Sequence, residues 1–347
     1  ARILDSSGLT LVWGGTDRGK STFCHYVLAQ VQQRGLPLAF VDSDLGQGHF
    51  GPPAALTLKL FPPARGKANA GNPDALYFIG QTSPPGAMLE IILGLRRLVG
   101  QARRWGRRRI LVNTSGLVQG PLAQRLKLAK VEALRPDLIV ALAQDQELEP
   151  LLRPVRRGQL TELLVLPVSS RVRRKSLDER RQNREARFAA YFAGATLHSL
   201  PLDDYGWLGF PFGQGEPLPR TRLEELQAFF PVPVLYGERT AAAALLLLEG
   251  TPPSLAEEVC QERLGVENIW WSDWTRLLFR LVGLLDRRFD TLALGIIRSA
   301  TWQPPMLNIL SPLSANLLSR VFACRLGRLR LTPAGRELRR EETAAGL

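Results

Sequence analysis

A glycine-containing segment near the amino terminus has the residue types of a phosphate-binding loop (P-loop). It fits the pattern G-x-x-x-x-G-K-S/T, in which backbone N–H groups wrap the phosphates of a nucleoside triphosphate. Lys20 would reach the β- and γ-phosphates, and Ser21 would hold Mg²⁺. The residues expected at the nucleotide are Gly14, Gly15, Thr16, Asp17, Arg18, Gly19, Lys20, Ser21 and Thr22. The pattern therefore predicts binding of Mg²⁺ and ATP, with other nucleoside triphosphates left open.

Two carboxylates, Asp42 and Asp44, follow the next apolar run along the chain. Alternate residues of an extended chain point the same way, so both carboxylates are expected to face the phosphates. One carboxylate can act through Mg²⁺ while the other accepts a proton from an acceptor hydroxyl. Aspartate pairs at strand ends also form turns, which is the alternative interpretation. Beside a P-loop, the pair favours transfer of a phosphoryl group to a hydroxyl.

An arginine-rich stretch in the middle of the chain has helical spacing. Arg180, Arg184 and Arg187 are separated by four and three residues, so they would share one face of a helix. Three guanidiniums on one face can neutralise the charge that develops on a transferred phosphoryl group. Without a P-loop, such a face would favour a solvated helix held by ion pairs with neighbouring glutamates. With the P-loop, the spacing favours a catalytic role.

The whole chain is strongly basic, with a formal net charge of +13. A positive field of this kind attracts partners that carry phosphates. Base composition can also produce an excess of arginine, so clustering is the better guide. One cluster, Arg103, Arg104, Arg107, Arg108 and Arg109, favours a solvated helix end and loop over a binding patch.

The remaining composition points to an ordinary globular protein rather than a membrane or disulfide-rich one. The longest apolar run, Ala241 to Leu248, is too short to span a bilayer, so we expect no membrane partner and a cytoplasmic location. Three widely spaced cysteines without a C-x-x-C pair argue against a disulfide framework and a zinc site.

The polar clusters need a scaffold that brings them together, and the apolar runs supply one. Short apolar runs that predict strands alternate with patterns that predict helices, which is typical of a parallel sheet covered on both faces. The predicted strands are Leu9–Trp13, Leu36–Val41, Ile110–Val112, Leu138–Leu142 and Leu163–Val168, and the predicted helices include Lys20–Gln33, Met88–Val99 and Leu122–Leu134. Ligands of such sheets bind at the carboxyl ends of the strands, where the polar clusters fall.

The amino-acid composition changes near residue 202, where glycine, proline and aromatic residues become frequent. The polar–apolar alternation of 325–331 predicts a half-exposed strand beyond that point. We therefore expect an α/β fold: a P-loop NTPase parallel sheet flanked by helices in 1–202, with a smaller C-terminal α+β appendage in 203–347.

Five motifs in this order resemble the polynucleotide 5′-hydroxyl kinase family. That family includes the RNA kinase of the eukaryotic messenger-RNA cleavage and tRNA-splicing machinery and the kinase that processes ribosomal RNA precursors. The resemblance covers about residues 9 to 195, and its most specific element is D-x-D-x-G-Q after a P-loop. The motifs are Gly14–Thr22, Asp42–Gly48, Phe78–Pro84, Asn113–Gly116 and an arginine-rich segment that ends at Tyr191-Phe192.

The resemblance implies a role for each candidate residue. Lys20 and Ser21 would bind ATP and Mg²⁺, Asp44 would be the general base on a 5′-hydroxyl, and Asp42 would support the metal. An arginine-rich lid at about 171–192 would close over the triphosphate, with Arg180 and Arg184 catalytic and Arg187 binding the nucleotide. The residues implied for the acceptor strand are Gln47, Thr82, Ser83 and Thr114. The implied partner is a nucleic acid, RNA or DNA, with a 5′-hydroxyl end; protein partners are left open.

Two departures from the family pattern and two alternatives accompany this interpretation. Leu117 stands where many members have a base-stacking tryptophan. The P-loop begins at Gly14, without the β-rich domain that precedes it in eukaryotic members, so we expect a short prokaryotic-type member. A small-molecule or nucleoside kinase would share the P-loop but has less need of a basic groove. A P-loop ATPase switch or assembly factor is the other alternative; 143–146 lacks the Asn-Lys-x-Asp that reads guanine.

Overall fold

The computed structural model describes residues 2–5, 7–62, 72–159, 161–251 and 256–338. The chain divides into two compact units, residues 1–191 and 192–347. This division precedes the expected boundary at residue 202, because Thr196–Pro201 forms a strand that pairs with Pro305–Ser311 of the second unit.

The first unit alternates strands and helices. Its elements are α1 Arg2–Asp5, β1 Gly8–Gly14, α2 Lys20–Gln33, β2 Leu38–Ser43, β3 Ala55–Phe61, β4 Ala75–Phe78, α3 Met88–Arg104, β5 Arg109–Thr114, α4 Gly120–Leu134, β6 Leu138–Ala143, α5 Glu149–Gly158, β7 Glu162–Pro167 and α6 Leu177–Phe192. The strands lie in the order β7-β6-β1-β5-β2-β3-β4. From β7 to β2 the neighbours are parallel, which confirms the predicted α/β fold.

The antiparallel hairpin of β3 and β4 extends this sheet beyond the predicted strands. Its signal is present in the sequence, because Leu56, Leu58 and Leu60 alternate with polar residues at the period of a strand. β2 also extends to Ser43, so Asp42 belongs to the strand instead of following it.

Both faces of the sheet are buried because successive strand residues point to opposite sides. Leu11 and Trp13 of β1 belong to the core that packs under α3, α4 and α5, whereas Val12 packs with α2 and Phe40 on the other face. The register aligns the carboxyl ends of the central strands: Val12 and Asp42 both lie beside Asn113, and Gly14 lies beside Leu142. The residues that follow these strands therefore share one edge.

The second unit is an α+β structure with two sheets. Its elements are β8 Thr196–Pro201, β9 Gly206–Leu208, β10 Glu216–Pro217, α7 Arg220–Gln227, β11 Val234–Arg239, β12 Ala243–Leu248, α8 Ala256–Leu264, β13 Asn268–Asp273, β14 Arg280–Leu285, β15 Thr291–Trp302, β16 Pro305–Ser311, α9 Ala315–Leu318 and β17 Ala323–Arg330. One sheet has the order β8-β16-β15-β14-β17-β9, and the other β10-β11-β12-β13. The strand predicted at 325–331 corresponds to β17.

The helices of the described residues are short or carry charges along their exposed faces. None of them has both the length and the hydropathy that a bilayer-spanning segment needs.

Candidate active site

The predicted P-loop joins a central strand to a helix. β1 ends at Gly14 and α2 begins at Lys20. Asp17 and Gly19 have φ angles of 54° and 82°, a region that glycine and, among side chains, aspartate tolerate best. The first turn of α2 has N–H groups without carbonyl partners inside the helix, and it exposes Ser21. This geometry is an anion-binding site.

Lys20 lies inside this loop instead of extending into solvent. Its side chain is only 7% exposed, and Nζ donates a hydrogen bond to the Gly15 carbonyl at 2.6 Å. Burial lowers the pKa of Lys20, and the charge of Asp44 opposes that shift. Lys20 and Asp44 therefore interact electrostatically within one site.

Two contacts that the sequence interpretation does not include hold the P-loop in place. Arg18 forms hydrogen bonds of 2.9 and 2.8 Å with the carboxylate of Glu147 and one of 2.7 Å with Gln144. On the other side, a Cβ on Gly116 would lie 2.8 Å from the backbone of Thr16, so only glycine fits there. Arg18, expected at the nucleotide, thus binds the segment between β6 and α5, and its phosphate contact stays a prediction.

Asp42 is buried at the centre of a hydrogen-bond network. One carboxylate oxygen accepts from the Asp44 N–H and from Asn113, each at 3.0 Å. The other lies 2.6 Å from both the His49 backbone nitrogen and His49 Nδ1. Burial raises the pKa of Asp42, but the hydrogen bonds and charge of His49 outweigh burial and hold that pKa below its usual value. Burial lowers the pKa of His49, but the hydrogen bond and charge of Asp42 outweigh burial and hold that pKa above its usual value.

Asp44 has a different environment although it is only two residues away. Its side chain is half-buried, and one oxygen accepts hydrogen bonds from the N–H groups of Gly46 and Gln47 at 3.1 and 3.0 Å. Its charge favours the protonated forms of Lys20, Lys130 and other basic side chains around it. Asp44 is therefore held by a turn and surrounded by basic side chains.

Two lysines of α4 lie completely buried behind the strand ends. Lys127 Nζ donates to the Thr114 hydroxyl at 2.6 Å and to the Ser115 carbonyl at 2.7 Å, and Lys130 Nζ donates to the Ser43 hydroxyl at 3.0 Å. Burial lowers the pKa of Lys130 to about 8, and it also holds the pKa of Lys127 well below its ordinary value. The sequence interpretation missed both. Their signal is that they occupy positions of α4 at which the helical pattern places core residues.

The arginine-rich stretch forms α6, and its three arginines lie at different parts of the site. Arg180 pairs with Asp17 of the P-loop at 2.5 Å. Arg184 approaches the turn that holds Asp44, where its Cδ would lie 3.9 Å from a Cβ on Gly46. Arg187 donates a hydrogen bond to the Gly51 carbonyl. The predicted helical face is thus present. Its three arginines are spread along the site, from the P-loop to the loop after Asp44.

Arg187 is half-buried, and its buried Nη1 has no hydrogen-bond partner within the part of the chain that the structure describes. Burial lowers its pKa, and the charges of Asp42 and Asp44 oppose that shift. These contacts lie on the side of Asp44, so the expected contact of Arg187 with the nucleotide stays a prediction.

The four residues expected at the acceptor strand lie in two different environments. Gln47 donates from its side chain to the Arg180 carbonyl of α6 at 3.1 Å, and the Thr82 carbonyl lies 3.1 Å from where a Cβ of Gly46 would be. Thr82 and Ser83 are half-buried beside the Asp44 turn. Thr114, in contrast, is completely buried, and its hydroxyl donates to the Val12 carbonyl at 2.7 Å. The structure therefore places Thr114 out of reach of an acceptor.

Gln81 was not singled out from the sequence, yet it holds the loop of Thr82 and Ser83. Its buried side-chain amide donates to the carbonyls of Ser83 and Pro85 at 2.5 and 2.6 Å. Leu117, in the place of the family's tryptophan, packs half-buried against the core.

A cavity of about 480 Å³ opens beside the P-loop at the carboxyl ends of β6 and β7. It is lined on one side by Asp17 and Arg18 and on the other by Gln144, Ser169 and Arg174. The crevice beyond the carboxyl ends of parallel strands is the usual ligand position in such folds. Its size is that of a small-molecule site.

Known proteins share the part of the chain that contains the P-loop, Asp44 and α6. Residues 14–194 match the family described as mRNA cleavage and polyadenylation factor CLP1 P-loop. A polyribonucleotide 5′-hydroxyl-kinase of Pyrococcus furiosus is 30% identical over 329 residues, which cover 94% of this chain and 89% of that protein. A protein of the same name from Pyrococcus horikoshii is 27% identical over 335 residues, 96% of this chain and 89% of the relative.

Solved structures agree with the fold. The wild-type Clp1p–Pcf11p complex contains a chain that superposes with a TM-score of 0.61 at 13% identity, covering 95% of this chain and 76% of that one. The match extends over both compact units, and the family match covers more than half of the sequence and contains the whole P-loop, Asp44 and α6. The chain therefore belongs to the CLP1 P-loop family, together with the archaeal polyribonucleotide 5′-hydroxyl-kinases.

Proposed function

We propose that this protein is an ATP-dependent polynucleotide 5′-hydroxyl kinase whose acceptor is the 5′ end of RNA. The observation that carries the proposal is the half-buried carboxylate of Asp44, held by a turn beside the buried Lys20 of the P-loop. The name of the archaeal relatives supports a ribonucleotide acceptor. A small-molecule kinase would not account for a guanidinium series that extends from the P-loop past Asp44.

The reaction joins the 5′-oxygen of the acceptor to the γ-phosphorus of ATP and breaks the bond from that phosphorus to the β–γ bridging oxygen. Asp44 accepts the proton of the 5′-hydroxyl as the new bond forms. Lys20 and the guanidiniums of Arg180 and Arg184 stabilise the negative charge on the transferred phosphoryl group. ADP leaves, and the acceptor carries a 5′-phosphate.

The donor nucleotide would place its phosphates on the P-loop and its nucleoside in the cavity beside it. Asp17 and Arg18 belong both to the P-loop and to the cavity wall, so one molecule can occupy both. The Arg18–Glu147 pair would then fix the boundary between the phosphate and nucleoside sites. When nucleotide binds, Arg180 would exchange Asp17 for a phosphate.

The residues around the phosphate site fit Mg²⁺, which when bound would neutralise phosphate charge. Ser21 offers an exposed hydroxyl at the start of α2. Asp42 would support the ion indirectly, because its oxygens already face four donors. Within the described ranges, no three His, Cys, Asp or Glu side chains form a metal cluster. This fits an ion held mainly by phosphates and water.

The acceptor would approach along the loop of Thr82 and Ser83, which lies beside the Asp44 turn. Gln47 links that turn to α6, so closure of α6 would order the acceptor site at the same time. Thr114 is assigned a positioning role, because it holds the buried Lys127 and makes no contact with solvent.

The test is a kinase assay with ATP and matched RNA and DNA oligonucleotides that carry a 5′-hydroxyl. We expect Lys20→Ala and Asp44→Asn each to lower turnover by about a hundredfold or more, and only Lys20→Ala to weaken ATP binding strongly. A nucleoside serves as the competing acceptor. If the wild-type protein phosphorylates the nucleoside and ignores every oligonucleotide, the proposed function is wrong.

A further inference from the structure

The end of α3 and the loop before β5 form an exposed surface rich in arginine that plays no part in the proposed reaction. Arg103, Arg104 and Arg108 are exposed, and Trp105 between them is 42% exposed. Among the residues that the structure describes, none forms an ion pair with these three arginines. We name the five exposed residues Arg96, Arg103, Arg104, Trp105 and Arg108 the α3 basic surface.

The charge of this surface is not neutralised by nearby sequence. From Ile91 to Val131 the chain contains no aspartate or glutamate, although the whole chain has 32. Arg107, next to the surface, donates to the carbonyl of Pro62, a neutral partner that leaves its charge uncompensated. Base composition could explain an excess of arginine, but it would not explain why this segment lacks aspartate and glutamate.

Helix stability explains only part of this arrangement. Cations in the last turn of a helix interact favourably with its dipole, which accounts for Arg103 and Arg104. The effect falls off beyond the last turn, so it does not account for Arg108. It also gives no reason for a half-exposed indole among guanidiniums. Aromatic rings between unpaired basic side chains are typical of surfaces that stack bases and contact phosphates.

The position of α3 connects this surface to the acceptor site. The loop of Thr82 and Ser83 leads into α3 at Met88, and α3 ends at Arg104. Its 17 residues span about 25 Å at 1.5 Å per residue. Leu89, Leu93 and Arg96 are exposed at helical spacing along the way, so the route is open to solvent.

We propose that the α3 basic surface binds the acceptor RNA downstream of its 5′ end, with Trp105 stacking on a base and the arginines contacting phosphates. This rests on the proposed function, because it assumes that the 5′ end lies at Asp44. A stacked strand advances about 3.4 Å per nucleotide, so the surface meets the strand about seven nucleotides from the end. The surface recognises chain length and backbone charge, and it leaves the chemical step unchanged.

The experiment compares a 5′-hydroxyl RNA of three nucleotides with one of twenty. In Arg103→Gln/Arg104→Gln/Arg108→Gln, we expect KM for the 20-mer to rise about tenfold or more, with kcat and the kinetics on the 3-mer unchanged. For a single strand, loss of three phosphate contacts should reduce the slope of log Kd against log salt by about two. Trp105→Ala should weaken binding of the 20-mer, and Trp105→Phe should restore it.

The matched control removes the same charge from another helix end. Arg153, Arg156 and Arg157 are exposed on α5, and their replacement by glutamine should leave the KM difference between the two RNAs intact. If both triple variants have equal effects, the loss comes from net positive charge and not from the α3 basic surface, and the proposal is overturned. An unchanged 20-mer affinity would also overturn it and leave a protein as the occupant. If the wild-type protein phosphorylates neither RNA, the proposed function fails instead.

Discussion

Asp42 and Asp44 show how two identical residues acquire different roles within three positions. Asp42 lies inside β2, is buried, and is hydrogen-bonded to His49. Asp44 follows the strand, is half-buried, and has its carboxylate directed by the backbone of the next turn. Burial and hydrogen bonding hold Asp42 within the structure, whereas Asp44 is partly open to solvent, as its proposed role as general base needs. Their spacing predicts a shared orientation and does not distinguish these environments.

The buried amine of Lys130 makes a prediction about stability and pH. Its pKa is about 8 in the folded protein, against an ordinary value of 10.5. Above 10.5 the amine is neutral in both states. As pH falls from 10.5 to 8, only the unfolded chain takes up the proton, so the folded state loses about 3 kcal/mol, and the loss stays constant below pH 8.

We therefore expect Lys130→Met to be more stable than the wild-type protein at pH 7, with the advantage disappearing as pH rises to about 10.5. At that pH the lost hydrogen bond to Ser43 should leave the variant about 1 kcal/mol less stable. Denaturant unfolding at pH 7 and 10 measures the difference. Arg125→Met, an exposed change on the same helix, should show no such pH dependence. A variant that gains stability only at high pH would contradict the assignment.

At the scale of elements, α6 connects the P-loop to the acceptor side of the site. Arg180 binds Asp17, Gln47 binds the Arg180 carbonyl, and Arg187 binds the Gly51 carbonyl. One helix thus contacts both the P-loop and the loop after Asp44, the segments that the proposed reaction brings together. Movement of α6 would change the donor and acceptor sites together.

This arrangement predicts a specific effect for Arg184, whose side chain approaches the Asp44 turn. Arg184→Ala should lower kcat about tenfold or more and change the Kd for ATP little, because its guanidinium would act mainly on the transferred charge. Arg181→Ala is the matched control, since Arg181 pairs with Glu185 on the exposed side of the same helix. Single-turnover kinetics and equilibrium ATP binding separate the two effects. Equal losses in rate and affinity would make Arg184 a ground-state clamp.

The elements that could be predicted from the sequence are those with a local signature. The β1–P-loop–α2 unit carries both a glycine pattern and a change from strand to helical period, and the structure confirms it. The role of α4 as a carrier of buried lysines could not be predicted, because a charged residue at a core position is normally evidence against burial. Groups from other parts of the chain satisfy those amines: the Ser43 hydroxyl accepts from Lys130, and the Thr114 hydroxyl and Ser115 carbonyl accept from Lys127.

At the scale of the whole molecule, the net charge of +13 makes long-range attraction of nucleic acid a general property. We expect affinity for a 20-nucleotide 5′-hydroxyl RNA to fall by at least about tenfold between 50 and 200 mM salt. An oligonucleotide with an uncharged methylphosphonate backbone should lose much less. Fluorescence anisotropy across the salt series provides the measurement. Parallel salt dependence for both ligands would show that backbone charge does not drive association.

The family match and the fold agree because both depend on features that a short segment can specify. Residues 14–194 match the CLP1 P-loop family, and the motifs quoted from the sequence lie within that range. The second unit has no such motifs, and its two sheets depend on pairings such as β8 with β16 that join distant parts of the chain. Its boundary consequently differs from the position where the composition changes.

The sequence by itself determined the P-loop, the alternating α/β order and the positions of the carboxylates and arginines, because these follow from local spacing and periodicity. Only the tertiary structure decided that Arg18 holds Glu147, that Thr114 is buried under Lys127, and that α6 meets both sides of the site. Those outcomes depend on contacts between residues far apart in the chain. Burial and hydrogen-bond satisfaction act on the folded neighbourhood, so the same residue types have different chemistry once the strands align.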